Sequence, residues 1–579
     1  MLYRLRRVPF AILMALVFCL MEGAQLLALR EYSLMLDCGG CLERGAFWRE
    51  LELLLWLICA DLVARRWLPR WAWLVRVLVV GVLVICVLDW WVQKNFFMRL
   101  DWREVQKFWG ELDSAAFFLR LLTQQVWWKA LGVVCAAVAM LGVCACYVLQ
   151  RRQFPGWCLA VALPLLLLCL WLSPGPQYHE VYVRHALSAF FNPPTVHRVY
   201  SPAWIDQNMP RLRDVARQRV CVKPAVAQPR PDKVVLVVVE SLSNYQSRAY
   251  GGVHDWTPQL DRWSARGRQF THFLANGKTT EDGLFALLTG QIPIVQNGQR
   301  NMYASGLEPA RPTLPQILHE AGYHTAFMTS GNLSFMDKQT WLQKVGFQTI
   351  SGHDDPFYEG LPRYHFDAAW DEALYAHALQ WMRQQQGPYF LVLETVSTHQ
   401  PYFDPVAKKN SMEGAFRYAD AALGDFLDTL ERDGFLADGL VIVTSDHRAM
   451  VPASAQERQQ LGEDHLSRVP LLMLGYKVGV AQESGAFSQQ DLLPSLQRLL
   501  VPEEVCLYPG QGLLWNMPGA APAQCIFMVR AQAPDSEFLR CEGKTFEIRL
   551  DGENTQYVGE QGPSQYIDAV HVQRLAVGQ

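Results

Sequence analysis

Apolar positions along this chain fall into two regimes that meet near residue 174. Before it, long runs at 8–29, 47–64, 71–92, 127–149 and 157–173 each approach the ~20 residues needed to cross a bilayer core. These five predict an α-helical membrane domain over 1–174. From residue 233 onward, apolar residues come instead in short blocks that switch between strand and helix periods. Strands are predicted at 233–239, 323–329, 389–396, 440–445 and 469–474, and helices at 257–267, 283–289, 313–321, 371–385, 414–432 and 489–500. Such alternation predicts an α/β domain over 233–505 with a mostly parallel sheet and helices on both faces. After 505 the pattern turns to short alternating strands such as Lys544–Leu550, predicting a small β-rich extension over 506–579.

The segment 175–232 joins the two regimes. Pro174, Pro176, Pro193, Pro194, Pro202 and Pro210 break it into short pieces, and an amphipathic stretch at 178–191 suits a membrane surface. Pro224–Pro231 reads as the hinge into the following domain.

Charge orients the spans. Arg4, Arg6 and Arg7, then Arg65, Arg66 and Arg70, then Arg151 and Arg152 lie in segments that five spans place on one side, which the positive-inside rule assigns to the cytoplasm. An odd number of spans puts everything after 174 outside the cytoplasm. No small-residue cleavage site follows the first span, so it reads as a retained anchor. A net charge of −3 gives no sign of nucleic acid as a partner. Ten of the fourteen cysteines precede residue 174, mostly within the spans, and Cys221, Cys506, Cys525 and Cys541 fall in the exported part. Cys525 and Cys541 flank a hairpin pattern and could pair. Cys38-Gly-Gly-Cys41 has CxxC spacing without a second pair, which favours a loop disulfide or free thiols over zinc.

Candidate chemistry sits at the strand ends. Lys233-Val-Val-Leu-Val-Val-Val-Glu240 reads as a strand buried on both faces that ends in a carboxylate, and Leu440-Val-Ile-Val-Thr-Ser-Asp446-His447 ends the same way. An unpaired buried charge is too costly to serve as filler. Both strand ends therefore belong at the sheet's carboxyl edge, where open α/β sheets bind ligands, and a Glu, an Asp and a His together there suit a metal. Between these strands lies Asn276-Gly-Lys278-Thr279-Thr280-Glu281-Asp282, just before a predicted helix. Either threonine could cap that helix. Beside a metal and Lys278, a threonine hydroxyl is also a candidate nucleophile. His399 follows another buried strand, and His465 stands in Glu-Asp-His465-Leu-Ser-Arg.

Val-Val-Val-Glu240-Ser-Leu, Thr257-Pro-Gln-Leu, Asn276-Gly-Lys278-Thr279 and Ser445-Asp446-His447 together resemble, in order and approximate spacing, the membrane-anchored sulfatase-like phosphotransferases. These include the lipoteichoic acid synthases and the phosphoglycerol transferases of periplasmic glucans. The resemblance runs to about residue 500 and implies an alkaline-phosphatase-like fold. It implies Glu240, Thr279, Asp446 and His447 as metal ligands, with Thr279, the first threonine after Gly-Lys, ranked above Thr280 as nucleophile. It also implies His399 as a phosphoryl-binding or proton-shuttling residue, and His465 as a further site residue. Mixed oxygen and imidazole ligands favour Zn²⁺ or Mn²⁺, with Mg²⁺ possible.

The resemblance implies transfer of a phospholipid head group, phosphoglycerol or phosphoethanolamine, to an envelope glycan or lipid-linked acceptor. The route would be a phosphothreonine intermediate, with release of diacylglycerol. A phosphodiesterase of the same fold is the alternative, and a non-catalytic envelope scaffold a third reading. A sulfatase reaction is not expected, because Thr279-Thr-Glu-Asp-Gly lacks the C/S-x-P-x-R context for formylglycine. The chain also departs from lipoteichoic acid synthases where those hold glycerol phosphate with Asp, Trp and Arg: Gly331, Met336 and Lys338 stand there. Lys338 could still hold a phosphate, as a point charge without the bidentate fork of Arg.

Overall fold

A computed structural model describes residues 29–30, 41–96, 99–102, 105, 157–172, 186–191, 200–223, 230–293, 311–514, 523–530, 533 and 535–576. The chain divides into two compact units, one containing residues 1–193 and the other most of the remainder.

In the first unit the described elements are helices α1 (Cys41–Trp67), α2 (Ala72–Phe96), α3 (Trp157–Leu172) and α4 (Ala186–Phe191). Leu55, Cys59 and Leu62 of α1 pack on Ala162 and Leu166 of α3, and Leu54 on Val79 of α2. Asp61 lies buried between Arg65 and Arg76, so the charges inside these helices are paired. Trp56, Leu78, Val84, Leu88 and Leu167 point outward, where a water-facing helix would carry polar side chains. Among the described residues one helix, Ala72–Trp90, is long and apolar enough to cross a membrane. The predicted spans 47–64 and 157–173 fall on α1 and α3, and α3 has 16 residues. The predicted spans 8–29 and 127–149 lie, residue 29 aside, outside the described residues, as does Cys38.

The second unit opens with α5 (Pro202–Arg217), a helix that the prolines of the connector disguise. Pro202 sits at its start, where the missing N–H costs nothing, and Ser201 caps it. The short strand β1 (Val220–Val222) follows, and a nine-stranded sheet begins at β2 (Lys233–Val239). The next elements are α6 (Pro258–Ser264), β3 (Arg268–Leu274), α7 (Thr280–Thr289), α8 (Leu314–Glu320), β4 (His324–Thr329), α9 (Lys338–Val345), β5 (Thr349–Ser351), α10 (Asp371–Gln384) and β6 (Tyr389–Glu394). A two-residue ribbon of β7 (Phe403–Asp404) and β8 (Lys409–Asn410) leads to α11 (Met412–Arg432), β9 (Gly439–Ser445), β10 (Arg468–Gly475), β11 (Ala481–Glu483), β12 (Phe487–Ser488) and α12 (Leu492–Leu500).

The sheet order is β11-β3-β10-β9-β2-β6-β4-β5, with β12 also beside β3. The block β9-β2-β6-β4-β5 is parallel, as expected. The sheet as a whole is mixed, because β10 runs antiparallel to both β9 and β3. That arrangement depends on β3, Arg-Gln-Phe-Thr-His-Phe-Leu, whose interspersed polar residues hid it from the apolar-run signal. Val234–Val238 and Leu440–Val443 are wholly buried, as strands covered on both faces must be. The covering helices form two groups, α6 with α10 and α11, and α7 with α8 and α12.

The β-rich extension is an antiparallel meander of β14 (Cys525–Val529), β15 (Ser536–Cys541), β16 (Lys544–Arg549) and β17 (Gln556–Val558), closed by helix α13 (Gln565–Ala576). Tyr566 and Val570 of α13 pack into a core with Phe527, Leu539, Ile548 and Tyr557. Helix α5 docks on α13, where Arg211 meets Asp568 at 3.2 Å and the Trp204 ring lies on His571. Cys525 pairs with Cys541 across β14 and β15, directly opposite in register. Cys221 of β1 pairs with Cys506 of β13 (Val505–Leu507), a bond that their separation of 285 residues concealed.

Candidate active site

Parallel register brings the charged strand ends together. Val239 of β2 lies opposite Ser445 of β9, so Glu240 and Asp446 emerge side by side one residue later. Glu394, closing β6, lies opposite Thr329 of β4 and next to Val238 of β2.

Glu240 is held from every side. Its N–H donates to Thr395 Oγ1 at 3.0 Å, and its carbonyl accepts from Thr398 Oγ1 at 2.5 Å. Its Oε1 accepts from Ser241 Oγ at 2.7 Å and its Oε2 from Thr280 Oγ1 at 3.1 Å. Ser241 adopts a left-handed φ of 57°, a strained turn of the kind that clusters at functional sites. The turn aims its N–H at Asp446 Oδ1, 2.8 Å away.

Asp446 and His447 are wholly buried. Asp446 Oδ1 accepts from the N–H groups of Ser241 and His447, both at 2.8 Å, and from Ser445 Oγ at 3.1 Å. His447 Nδ1 lies 2.9 Å from the Arg448 carbonyl, which requires the proton on Nδ1 and leaves the Nε2 lone pair facing the carboxylates. Nε2 is 3.3 Å from Asp446 Oδ2 and 3.6 Å from Glu240 Oε1. Neither Asp446 Oδ2 nor His447 Nε2 has a hydrogen-bond partner. Burial, reinforced by the Glu240 charge, pushes the Asp446 carboxyl up to about 6. Burial disfavours a charged His447, yet the Asp446 and Glu240 carboxylates hold its pKa above the ordinary imidazole value. Two orphaned buried ligand atoms facing a second carboxylate, with all three ligand atoms within 4.8 Å, fit a divalent cation. Glu240, Asp446 and His447 would hold it.

Helix α7 brings the hydroxyls to this cluster. Its first residue is Thr280, three positions earlier than the apolar pattern indicates, so Thr279 is the N-cap and its Oγ1 accepts from Asp282 N at 3.3 Å. The hydroxyl bonded to Glu240 belongs to Thr280. Thr279 Oγ1 thus caps the helix while Thr280 Oγ1 faces the Glu240 carboxylate. Where the helix begins decides which hydroxyl caps it and which is left to the carboxylate. Close approach sets this geometry. A Cβ on Gly283 of α7 would lie 2.0 Å from the Asp446 carbonyl oxygen, and one on Gly277 would lie 2.0 Å from Asp282 Cβ. The N–H of Lys278 donates to Asp282 Oδ2 at 3.0 Å, tying the loop to the first turn of α7.

The other expected residues take varied places. His399 follows β6 with its ring edge-on to Phe366, and its Nδ1 lies 2.6 Å from the Gln400 carbonyl. Burial lowers its pKa to about 4, so it is neutral at pH 7. His465 is buried with Nδ1 2.7 Å from the Gly462 carbonyl, and burial and nearby arginines, Arg448 first, likewise lower its pKa to about 4. Lys338 is paired with both oxygens of Glu394 in a largely buried ion pair. Met336 is buried at a left-handed φ of 58°. Glu394 carries the same signature as Glu240, a carboxylate closing an apolar strand, and that signal could have found it. Ser241 and Thr395 carry none, because a lone hydroxyl after a strand is common.

The mixed sheet carries a carboxylate–histidine cluster at its carboxyl edge, an arrangement suited to metal-assisted hydrolase or transferase chemistry. Residues 232–500 match the Sulfatase family model. Among curated proteins, N-acetylgalactosamine-6-sulfatase of Rattus norvegicus is 26% identical over 279 residues, covering 40% of this chain and 53% of that protein. Phosphoglycerol transferase I of Salmonella choleraesuis (strain SC-B67) is 25% identical over 253 residues, covering 39% of this chain and 32% of that protein. The chain thus spans about half of the first relative and about a third of the second. A solved alkaline phosphatase superfamily protein from Vibrio parahaemolyticus is 23% identical with a TM-score of 0.48, covering 64% of this chain and 95% of that one.

Proposed function

We propose that this chain is a metal-dependent phosphotransferase that moves a phospholipid head group, phosphoglycerol or phosphoethanolamine, to an envelope glycan or lipid-linked acceptor. One observation carries the reading: the Thr280 hydroxyl, at the N-terminus of α7, is hydrogen-bonded to Glu240 beside the orphaned ligand atoms of Asp446 and His447. Thr280 is therefore the proposed nucleophile, in preference to Thr279. Phosphoglycerol transferase I, one of the relatives, supports the class of reaction. The motif at 279–283 offers no formylglycine precursor, which argues against sulfate ester hydrolysis.

A divalent cation held by Glu240, Asp446 and His447 supplies Lewis acidity and lowers the pKa of a nearby hydroxyl. The residues do the rest. Thr280 Oγ1 bonds to phosphorus as the diacylglycerol oxygen leaves, its proton passing along the hydrogen bond to Glu240, and solvent protonates the departing oxygen. The N-terminus of α7 favours the phosphoryl anion. His399, neutral through burial, takes the proton of the acceptor hydroxyl as that oxygen displaces Thr280, whose Oγ1 takes back its proton from Glu240. The apolar helices of the first unit hold the enzyme at the membrane where its donor resides, and the paired cysteines suit an oxidising compartment outside the cytoplasm.

The test is diacylglycerol release by full-length protein in detergent with Mn²⁺ or Zn²⁺, supplied with phosphatidylglycerol or phosphatidylethanolamine. Thr280→Ala should lose about a thousandfold or more in turnover. Thr279→Ala should stay active and lose ~1 kcal/mol of stability as a missing helix cap. The reverse pattern would make Thr279 the nucleophile. Release of the free head group to water, with no acceptor product, would make the enzyme a phosphodiesterase.

A further inference from the structure

Three buried amides, Asn276, Gln489 and Gln490, tie the Asn276–Thr280 loop to the strand end that carries Asp446, and backbone groups of β14 close over them. Gln489, in the turn between β12 and α12, is wholly buried and uses both ends of its side chain. Its Oε1 accepts from the N–H of Asn276, at the start of the Asn276–Thr280 loop, at 3.0 Å. Its Nε2 donates to the carbonyls of Ser445 and Asp446, at 2.9 and 2.6 Å. All three partners are backbone groups, one donor and two acceptors, so only one orientation of the amide satisfies them. Gln490 and Asn276 then grip each other: the Gln490 N–H donates to Asn276 Oδ1, and Asn276 Nδ2 donates to Gln490 Oε1, both at 3.0 Å. From outside, Asn276 Nδ2 also donates to the Phe527 carbonyl at 2.7 Å, and the Val529 N–H donates to the Asn276 carbonyl at 2.8 Å. Ile526 and Met528 of β14 pack on Leu274, just before that loop.

We infer that Gln489 is a positioning residue that sets the distance between the Thr280 loop and the Asp446–His447 strand end. Gln490, Asn276 and strand β14 lock that setting from behind. The inference rests on the proposed function for the reaction it serves. No other hydrogen bond among the described residues joins the backbone N–H of Asn276 to β9 through a single side chain. Without it, the two walls of the site would be related by the Thr280 hydroxyl on Glu240, which is itself a reacting group in the proposed function, and by the close approach of Gly283 to the Asp446 carbonyl.

The experiment compares full-length wild type with Gln489→Met, which keeps the volume and removes all three hydrogen bonds. Gln511→Met is the control. Gln511 likewise bridges backbone groups, donating to Gly290 O at 2.6 Å and accepting from Tyr508 N at 3.0 Å, but at the far end of α7. The readouts are Mn²⁺ affinity by calorimetry on metal-stripped protein, kcat and KM on the donor lipid, and thermal stability. Gln489→Met should weaken Mn²⁺ binding and lower kcat, each by about 10- to 100-fold, with KM within about threefold. Gln511→Met should leave both unchanged while losing comparable thermal stability. Equal effects in the two variants, or unchanged Mn²⁺ affinity and kcat in Gln489→Met, would overturn the inference. If the wild type turns over no lipid, the proposed reaction falls, and the Mn²⁺ comparison still decides the role of Gln489.

Discussion

Lys338 and Glu394 are each nearly sequestered from solvent, and the ion pair between them is what makes either charge tolerable at that depth. Burial raises the Glu394 pKa, Lys338 opposes that rise, and Asp446 adds to it. Removing one partner should therefore cost more than removing both. Lys338→Met is expected to destabilise by ~3–5 kcal/mol in urea unfolding, and Lys338→Met combined with Glu394→Gln to recover most of it. A single variant that keeps full stability but raises KM for the lipid donor would instead return Lys338 to the phosphate-holding role that its sequence position suggests. The two threonines teach the same lesson at this scale. Adjacent hydroxyls with the same chemistry are told apart by where a helix begins, and one turns to the carboxylate while the other turns to a backbone N–H.

The short turn that carries Gln489 is itself held by an acid. Asp491 accepts from the N–H groups of Ser488, at 2.8 Å, and Gly512, at 2.6 Å, and burial pushes its carboxyl up to about 7. A carboxyl that titrates near 7 when folded, against about 4 when unfolded, binds its proton more tightly in the fold. Its contribution to stability is thus fully present below about pH 4 and fades as pH rises towards 7. Asparagine does not titrate, so the advantage of wild type over Asp491→Asn should be larger at pH 5 than at pH 8, by on the order of 2 kcal/mol. Thermal or urea melts at the two pH values check this, and a pH-independent difference would mean that Asp491 is ionised in the folded protein. At the scale of elements, legibility followed the strength of the apolar signal. The runs 233–239 and 440–445 match β2 and β9 closely. β3 was missed because Arg268, Gln269, Thr271 and His272 interrupt it, and α5 because its prolines sit at a helix start and within an exposed stretch.

Across the whole molecule, the Cys221–Cys506 bond joins the segment that leads into the nine-stranded sheet to the segment that follows α12. A crosslink closing so long a loop restricts the unfolded chain strongly, and replacing both cysteines by serine should cost ~2–5 kcal/mol. The Glu240–Asp446–His447 cluster has no part in it, so Mn²⁺ affinity below the melting temperature should be unchanged. Melting with and without reductant, beside calorimetry on the double variant, tests both halves. If reductant leaves the melting temperature where it was, the bond does not stabilise the native protein.

What the sequence determined by itself was local: two apolar regimes, the alternation of strands and helices, and the placing of Glu240, Asp446 and His447 at the ends of buried strands. Those properties follow from side-chain chemistry and short-range periodicity, which need no knowledge of the chain's path. The tertiary structure decided everything that depends on distance through space. It set β10 antiparallel in the sheet, paired Cys221 with Cys506, gave Lys338 to Glu394 and turned Thr280 toward the cluster. It also brought Gln489 and β14 to the reactive loop, more than two hundred residues away in the chain. Hydrogen bonds and ion pairs act over a few ångströms whatever the separation in sequence, so only the fold can choose the partners.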